Sequence, residues 1–220
     1  MQIAFVLYDG FTALDITGPH DVLNALPHTE PVFVAEQAGP VANESRSLSL
    51  VADRSLAEVT SPEIVVVPGG LGTRALLEHE PLLSWLREVH ETTTWTTSVC
   101  TGSLLLAAAG LLDGVRATTH WLAREQLAAL GAEVVAERVV EDGRIMTGAG
   151  VSSGIDMALT LVKRMYGEEA AEAVQLGIEY DPAPPVDSGS PDRARPEIVA
   201  AVTTIFQASE KEFVASVTAA

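Results

Sequence analysis

The 220-residue sequence contains a single cysteine, Cys100. An intramolecular disulfide is therefore excluded, as is any cysteine-rich zinc or iron–sulfur site. Basic residues are also scarce. Thirteen Lys plus Arg stand against 30 Asp plus Glu, a formal net charge of −17. That balance argues against nucleic acid or an anionic membrane as partner, because phosphate binding needs Lys and Arg to displace counterions. No uncharged apolar run reaches the roughly 20 residues of a spanning helix. Residues 1–7 lack the basic region and long apolar stretch of a secretory signal. Internal repeats and low-complexity tracts are missing too. The expectation is a soluble, acidic, cytoplasmic protein. Its 47% hydrophobic and 20% charged content suits a globular domain with a substantial core.

Short apolar runs alternate with helix-like segments. Residues 3–7, 31–35, 64–67 and 94–99 read as strands, and their near-continuous apolar character fits strands buried on both faces. Helices are expected over 19–26, 81–91, 103–109, 121–130, 155–166 and 168–178. Residues 133–140 and 144–146 read as paired strands around the Asp142-Gly143 turn. The alternation predicts an α/β fold with a largely parallel sheet. Proline-rich residues 181–196 cannot sustain a helix or central strand. They read as an extended arm leading to a C-terminal helix over 196–220, packed on the body or on a partner subunit.

Cys100 ends a β-branched run, and an Ala/Leu helix begins two or three residues later. This strand–nucleophile–helix order raises a side chain above the C-terminal edge of a parallel sheet. Thr101 or Ser103 would cap the helix, whose positive end would favour thiolate. Spacing alone leaves two readings, a nucleophile or a buried filler.

Three other segments place polar or glycine residues at strand ends. Residues 64–67 run into Pro68-Gly69-Gly70, whose amides would approach a bound atom unless the segment is an ordinary loop. Asp15 stands between Leu14 and Ile16, just before the expected helix with Pro19 in its first turn. It would be a proton carrier with a raised pKa, or a helix cap. His120, in Arg116-Ala117-Thr118-Thr119-His120-Trp121, would be a base paired with Cys100, or structural.

Together, Leu14-Asp15-Ile16-Thr17-Gly18-Pro19, Pro68-Gly69-Gly70, Ser98-Val99-Cys100-Thr101-Gly102-Ser103 and Ala117-Thr118-Thr119-His120-Trp121 resemble the DJ-1/PfpI superfamily, and within it the isocyanide hydratase branch. Thr147-Gly148-Ala149-Gly150-Val151, Gly154-Ile155-Asp156 and the stretch from Gln175 to Pro185 extend the match to about residue 195. The cysteine elbow and glycine pair are superfamily-wide; Asp15 and the Thr-Thr-His-Trp segment point more narrowly. The resemblance implies a flavodoxin-like three-layer sandwich over residues 1–195 and a homodimer. It also implies hydration of a small-molecule isocyanide to an N-substituted formamide, without metal or organic cofactor. By motif, Cys100 is the nucleophile, Asp15 the general acid/base, and Thr101 a substrate or water contact. Gly70 supplies a backbone donor, and Ala149, Gly150 and Val151 form pocket wall. His120 then lies behind the site. The branch usually carries glycine at 149 and isoleucine at 151, so a methyl is traded between the two positions here. The competing readings are a redox or metabolite sensor, and a glyoxal- or amide-directed relative, which usually carries Glu where Asp15 stands. Regulators with a basic helix-turn-helix domain do not fit the short acidic-to-neutral C-terminal stretch.

Overall fold

The computed structural model describes residues 1–218, with side chains through residue 215. The first half runs β1 (Gln2–Val6), α1 (Ala13–Asn24), β2 (Glu30–Ala35), β3 (Gly39–Ala42), β4 (Ser49–Ala52), β5 (Arg54–Ser55), β6 (Ile64–Val67) and α2 (Glu80–His90). It continues with β7 (Trp95–Val99), α3 (Gly102–Ala108), β8 (Arg116–Ala117), α4 (Arg124–Ala129), β9 (Glu133–Val134), β10 (Val139–Asp142) and β11 (Ile145–Gly148). Three helices close the chain: α5 (Ser153–Tyr166), α6 (Glu168–Gly177) and α7 (Pro196–Thr218). Among the described residues, no helix is long and apolar enough to cross a membrane.

The main sheet has the order β10-β11-β7-β6-β1-β2-β5. All neighbours are parallel except β10 and β11. The unbroken apolar run of β6 has its reason here: Ile64, Val65, Val66 and Val67 are fully buried because helices cover both faces. Helices α1 and α5 pack together against one face, with α6 on α5; α2, α3 and α4 cover the other. This is the largely parallel α/β sheet that the alternation predicted, in the three-layer sandwich that the resemblance implied. Register brings the C-terminal ends of β6, β7 and β11 level, with Val67 beside Ser98 and Val99 beside Gly148. The loops leaving those ends, and the loop after β1, meet at one edge.

Several boundaries differ from expectation. Helix α1 begins at Ala13, so Pro19 is an interior residue and Asp15 lies in the first turn. The expected helix over 121–130 is a 3-10 turn, Trp121–Ala123, followed by α4. The hairpin around Asp142-Gly143 is real, but only from Val139; β9 pairs instead with β8, in parallel. Arg138 breaks the run by turning its guanidinium to Asp156. The β3–β4 hairpin has no counterpart among the expected elements. Tyr180 donates to Asp156 and Gln175 donates to the Tyr180 carbonyl, anchoring the start of the arm to α5 and α6. Beyond that point residues 181–189 are exposed.

Helix α7 lies against the 3-10 turn Leu71–Leu76 of the same chain. Glu210 pairs with Arg74, and Phe206 stacks on His120 with ring centroids 5.3 Å apart. Phe213 is buried over Gly10, where a Cβ atom would collide with the ring.

Candidate active site

Cys100 is the first residue past β7 and has φ of +57°, in the left-handed region that a non-glycine residue occupies only under constraint. The constraint is visible on both sides. Its N–H donates to the carbonyls of Gly148 (3.1 Å) and Ala149 (2.7 Å), pinning the turn to the end of β11. Its carbonyl accepts from the hydroxyls of Thr119 (2.9 Å) and Ser103 (3.3 Å). The elbow therefore aims the side chain at a chosen point, and only 3% of the residue is exposed.

Asp15 occupies that point. It is fully buried, and it is not a helix cap: its Oδ2 accepts the Gly69 amide at 2.8 Å, across from the end of β6. Its Oδ1 has no well-aligned donor. The Cys100 thiol lies close enough to the carboxyl to favour its charged form, the smallest of the influences on it. Burial drives the Asp15 pKa well above the ordinary carboxylate range; the Gly69 bond opposes this, and the Glu44 charge adds to it.

The same environment acts on the thiol. The amides of Val151 and Thr101 face Sγ and favour thiolate, as the helix-terminus argument expected. Burial first, and the Asp15 charge second, outweigh them, so the Cys100 pKa rises instead. The correction is physical: a helix end cannot offset the desolvation of an anion beside another carboxylate. The two groups hold protons as a pair, with one proton between them as the chemically useful state.

Thr101 does not cap α3 with its side chain. Its Oγ1 accepts the Gly70 amide at 3.0 Å and lies 2.9 Å from the Thr73 hydroxyl, which lies 2.9 Å from the Tyr8 hydroxyl. Tyr8 donates to the Pro68 carbonyl at 2.8 Å, and that bond sets the direction of the chain. Thr73 must then donate to Tyr8 and Thr101 to Thr73, leaving the Thr101 lone pair for Gly70. The glycine pair thus holds two side chains of the site, Asp15 through Gly69 and Thr101 through Gly70. The amide expected to serve as a substrate donor at Gly70 is engaged by Thr101. Gly70 has φ of +144°, and a Cβ there would collide with the Gly10 carbonyl oxygen, so no larger residue fits.

Ala149, Gly150 and Val151 are partly exposed; the Ala149 carbonyl accepts the Cys100 backbone amide, and the Val151 amide faces the thiol. His120 packs on Gly150, where an added Cβ would come within 2.9 Å of the imidazole ring. Its own Nδ1 accepts the Leu122 amide at 3.4 Å. Burial, then the charges of Arg74 and Arg124, pull its pKa down to about 4, so it is neutral near pH 7. It backs the pocket and is not paired to Cys100. Among the described residues, no group of three or more His, Cys, Asp or Glu is arranged to hold a metal ion.

The DJ-1/PfpI family model matches residues 1–164, about three-quarters of the chain. The chain belongs to the DJ-1/PfpI family. Its relatives within the family include the isonitrile hydratase of Pseudomonas putida, 45% identical over 199 residues, or 90% of this chain and 87% of that protein. A crystal structure of a ThiJ/PfpI family protein from Pseudomonas syringae superposes with a TM-score of 0.91 at 35% identity, covering 97% of this chain and 89% of that one. The HTH-type transcriptional regulator CdhR of Pseudomonas aeruginosa is 33% identical over 144 residues, 64% of this chain but 42% of that protein. DJ-1/PfpI membership accounts for the elbow, the glycine pair and the flavodoxin-like layering together.

Three residues without a role in the sequence-based expectations complete the site. Tyr8 and Thr73 orient Thr101 as described. Glu44 accepts from the Thr12 hydroxyl at 2.9 Å and the Leu71 amide at 3.4 Å, and its charge reaches both Asp15 and Cys100. Tyr8 and Thr73 each follow a strand-end motif by one to three residues, a signal that was present. Glu44 sits in the β3–β4 connection, far away in sequence, and carried none.

Proposed function

We propose that this protein is an isocyanide hydratase, converting an isocyanide and water to an N-substituted formamide. The observation that carries the reading is the buried Asp15 carboxyl facing the single thiol, in a chain 45% identical to an isonitrile hydratase across nearly its full length. Isonitrile and isocyanide are two names for one functional group.

The chemistry needs a nucleophile and a proton delivered to the same carbon. With one proton on the pair, carried by Asp15, the Cys100 thiolate attacks the terminal carbon of R–N≡C. Asp15 protonates that carbon, giving the thioimidate R–N=CH–S–Cys100 and an Asp15 carboxylate. The carboxylate then takes a proton from water as the hydroxyl adds to carbon, and passes it to nitrogen. In the tetrahedral adduct R–NH–CH(OH)–S–Cys100, Asp15 accepts the hydroxyl proton while the C–S bond breaks. The formamide R–NH–CHO leaves, and thiolate and protonated Asp15 are restored. The Val151 and Thr101 amides stabilise the thiolate as it departs. Every proton passes through Asp15, so the cycle calls on neither metal nor organic cofactor; because water adds to the isocyanide with no bond of the substrate cleaved by hydrolysis, the reaction is of the hydro-lyase type. A cytoplasmic homodimer is the setting we assign to it.

The burial of Cys100 weighs against a peroxide sensor, which needs a thiol exposed to the oxidant. Purified protein is to be incubated with an aryl or alkyl isocyanide while formamide is followed. We expect turnover by the wild type, none by Cys100→Ala, and a thioimidate mass adduct on Cys100 in trapped wild type. Undiminished turnover in Cys100→Ala sinks the reading.

A further inference from the structure

Helix α7 takes no part in the chemistry written above, yet it is fastened to loops at the same edge of the sheet. Glu210 pairs with Arg74 in the Leu71–Leu76 turn, which also holds Thr73. Phe213 sits over Gly10 in the loop after β1, with the Arg46 guanidinium 5.4 Å from its ring centroid. Phe206 stacks on His120, the two rings 5.3 Å apart and within 11° of parallel. Followed inward, the Phe206 contact leads to the thiol.

The last step of that path is the Val151 amide, which faces Sγ of Cys100 from the turn between β11 and α5. An amide supports a thiolate only from the right direction, because a hydrogen bond weakens steeply as its angle closes. The peptide plane that carries the Val151 N–H also carries the Gly150 carbonyl, which accepts the Ser153 amide at 2.9 Å. That plane therefore swings with Gly150, a residue with no side chain of its own to wedge it. The His120 ring fills the gap. Its Cδ2 lies 2.9 Å from where a Cβ of Gly150 would stand, so the imidazole limits how far the turn can move. The ring in turn is held mainly by packing. Its bond from the Leu122 amide is long, at 3.4 Å, and Trp121 meets it at a tilt, whereas Phe206 lies flat on it.

We propose that Phe206 is a positioning residue for Cys100: through His120 and Gly150 it holds the Val151 amide on the sulfur. The consequence for rate rests on the hydratase reading; the consequence for the amide does not. Helix α7 then belongs to the site without supplying a reacting group, and Phe206 is the side chain through which it acts.

The test follows the Val151 amide by NMR and isocyanide hydration by kinetics in the wild type, Phe206→Leu, Phe206→Tyr and Ile205→Ser. Leucine keeps an apolar side chain under α7 but loses the flat stack; tyrosine keeps the stack. Ile205 is 65% exposed on the same helix and serves as the control. Cys100→Ala, which removes the sulfur acceptor, gives the resonance position of an unbonded Val151 amide. In Phe206→Leu that resonance should move toward the Cys100→Ala position and its deuterium exchange should quicken, with kcat down by about tenfold and KM unmoved. Phe206→Tyr should restore both readouts, and Ile205→Ser should leave both unchanged. A Val151 resonance unmoved in Phe206→Leu overturns the proposal, and active wild type would then leave the hydratase reading standing. A raised KM with kcat intact overturns it too, since Phe206 would then contact substrate. The same losses in Ile205→Ser would assign the effect to the seating of α7 as a whole and not to the stack. If the wild type hydrates no isocyanide but Phe206→Leu still shifts Val151, the hydratase reading fails and the positioning role holds.

Discussion

The Gly69 amide donates to Oδ2 of Asp15 at 2.8 Å, tying the first turn of α1 to the end of β6. One backbone bond thereby decides which carboxyl oxygen is anchored and which is left without a partner. A buried acid beside a buried thiol is an unfavourable arrangement for a folded chain, and its consequences can be measured.

Asp15→Asn should raise stability while lowering activity. A carboxyl whose pKa is higher in the folded state binds its proton more tightly there. Its contribution is complete below the unfolded pKa, about 3.9, and is lost as pH rises through the folded value. Asparagine removes that loss and keeps an oxygen for the Gly69 amide. The gain in Tm over wild type should therefore be larger at pH 8 than at pH 4, each 1 kcal/mol appearing as about 2–4 °C at this size. Turnover should fall by about 10²–10⁴-fold, the usual worth of a positioned acid/base. A Tm difference independent of pH would count against the burial argument.

Glu44→Gln should move the pH dependence of kcat/KM. The working form of the Cys100–Asp15 pair holds one proton, so the profile is bell-shaped, falling when a second proton binds and when the first is lost. Glu44 raises the pKa of both groups. Removing its charge should shift both limbs to lower pH. A shift of either limb upward contradicts the assignment.

Thr101→Val should leave the buried Gly70 amide without an acceptor and break the chain through Thr73 to Tyr8. The expected cost is about 1–3 kcal/mol in urea unfolding. Thr101→Ser keeps every bond and should cost less than about 1 kcal/mol. Equal losses in the two variants would mean that methyl packing, not hydrogen bonding, explains the threonine.

His120 should be silent in the pH profile between about 6 and 8, since it is held neutral with a pKa of about 4. In His120→Phe, which retains an aromatic ring against Phe206, the height of the profile can change but both limbs should remain. Disappearance of a limb would make His120 the base after all.

Much of this site was legible in the sequence, for identifiable reasons. The strands β1, β6 and β7 are short apolar runs with sharp ends, so the chain positions that emerge at one sheet edge were countable from the sequence. Cys100 and the glycine pair were placed by that counting. Asp15 was located but its setting was misjudged. Pro19 reads as a helix-opening residue, whereas it sits inside α1 and withholds a donor from the Asp15 carbonyl four residues earlier. The direction of the thiol pKa was missed because local sequence reveals a helix end but not the depth of burial around it. Glu44 and the place where α7 docks were out of reach for a different reason. Glu44 meets Thr12 and Leu71, and α7 meets the turn that begins at Leu71, so both reach the site through segments far apart in the chain. No local pattern encodes such contacts. The substrate role expected for the Gly70 amide was likewise undone by a tertiary contact, its bond to Thr101.

The exposed segment that joins α6 to α7 sets a geometric freedom. At about 3.1 Å per extended residue, residues 181–195 can span on the order of 45 Å. Helix α7 is thus delivered to the Leu71–Leu76 turn on a tether, at a local concentration that the tether's length controls. Shortening or lengthening that tether would alter how long α7 stays seated without touching Cys100 or Asp15. In this chain, evolution can tune the docking of the last helix separately from the thiol and its carboxyl partner.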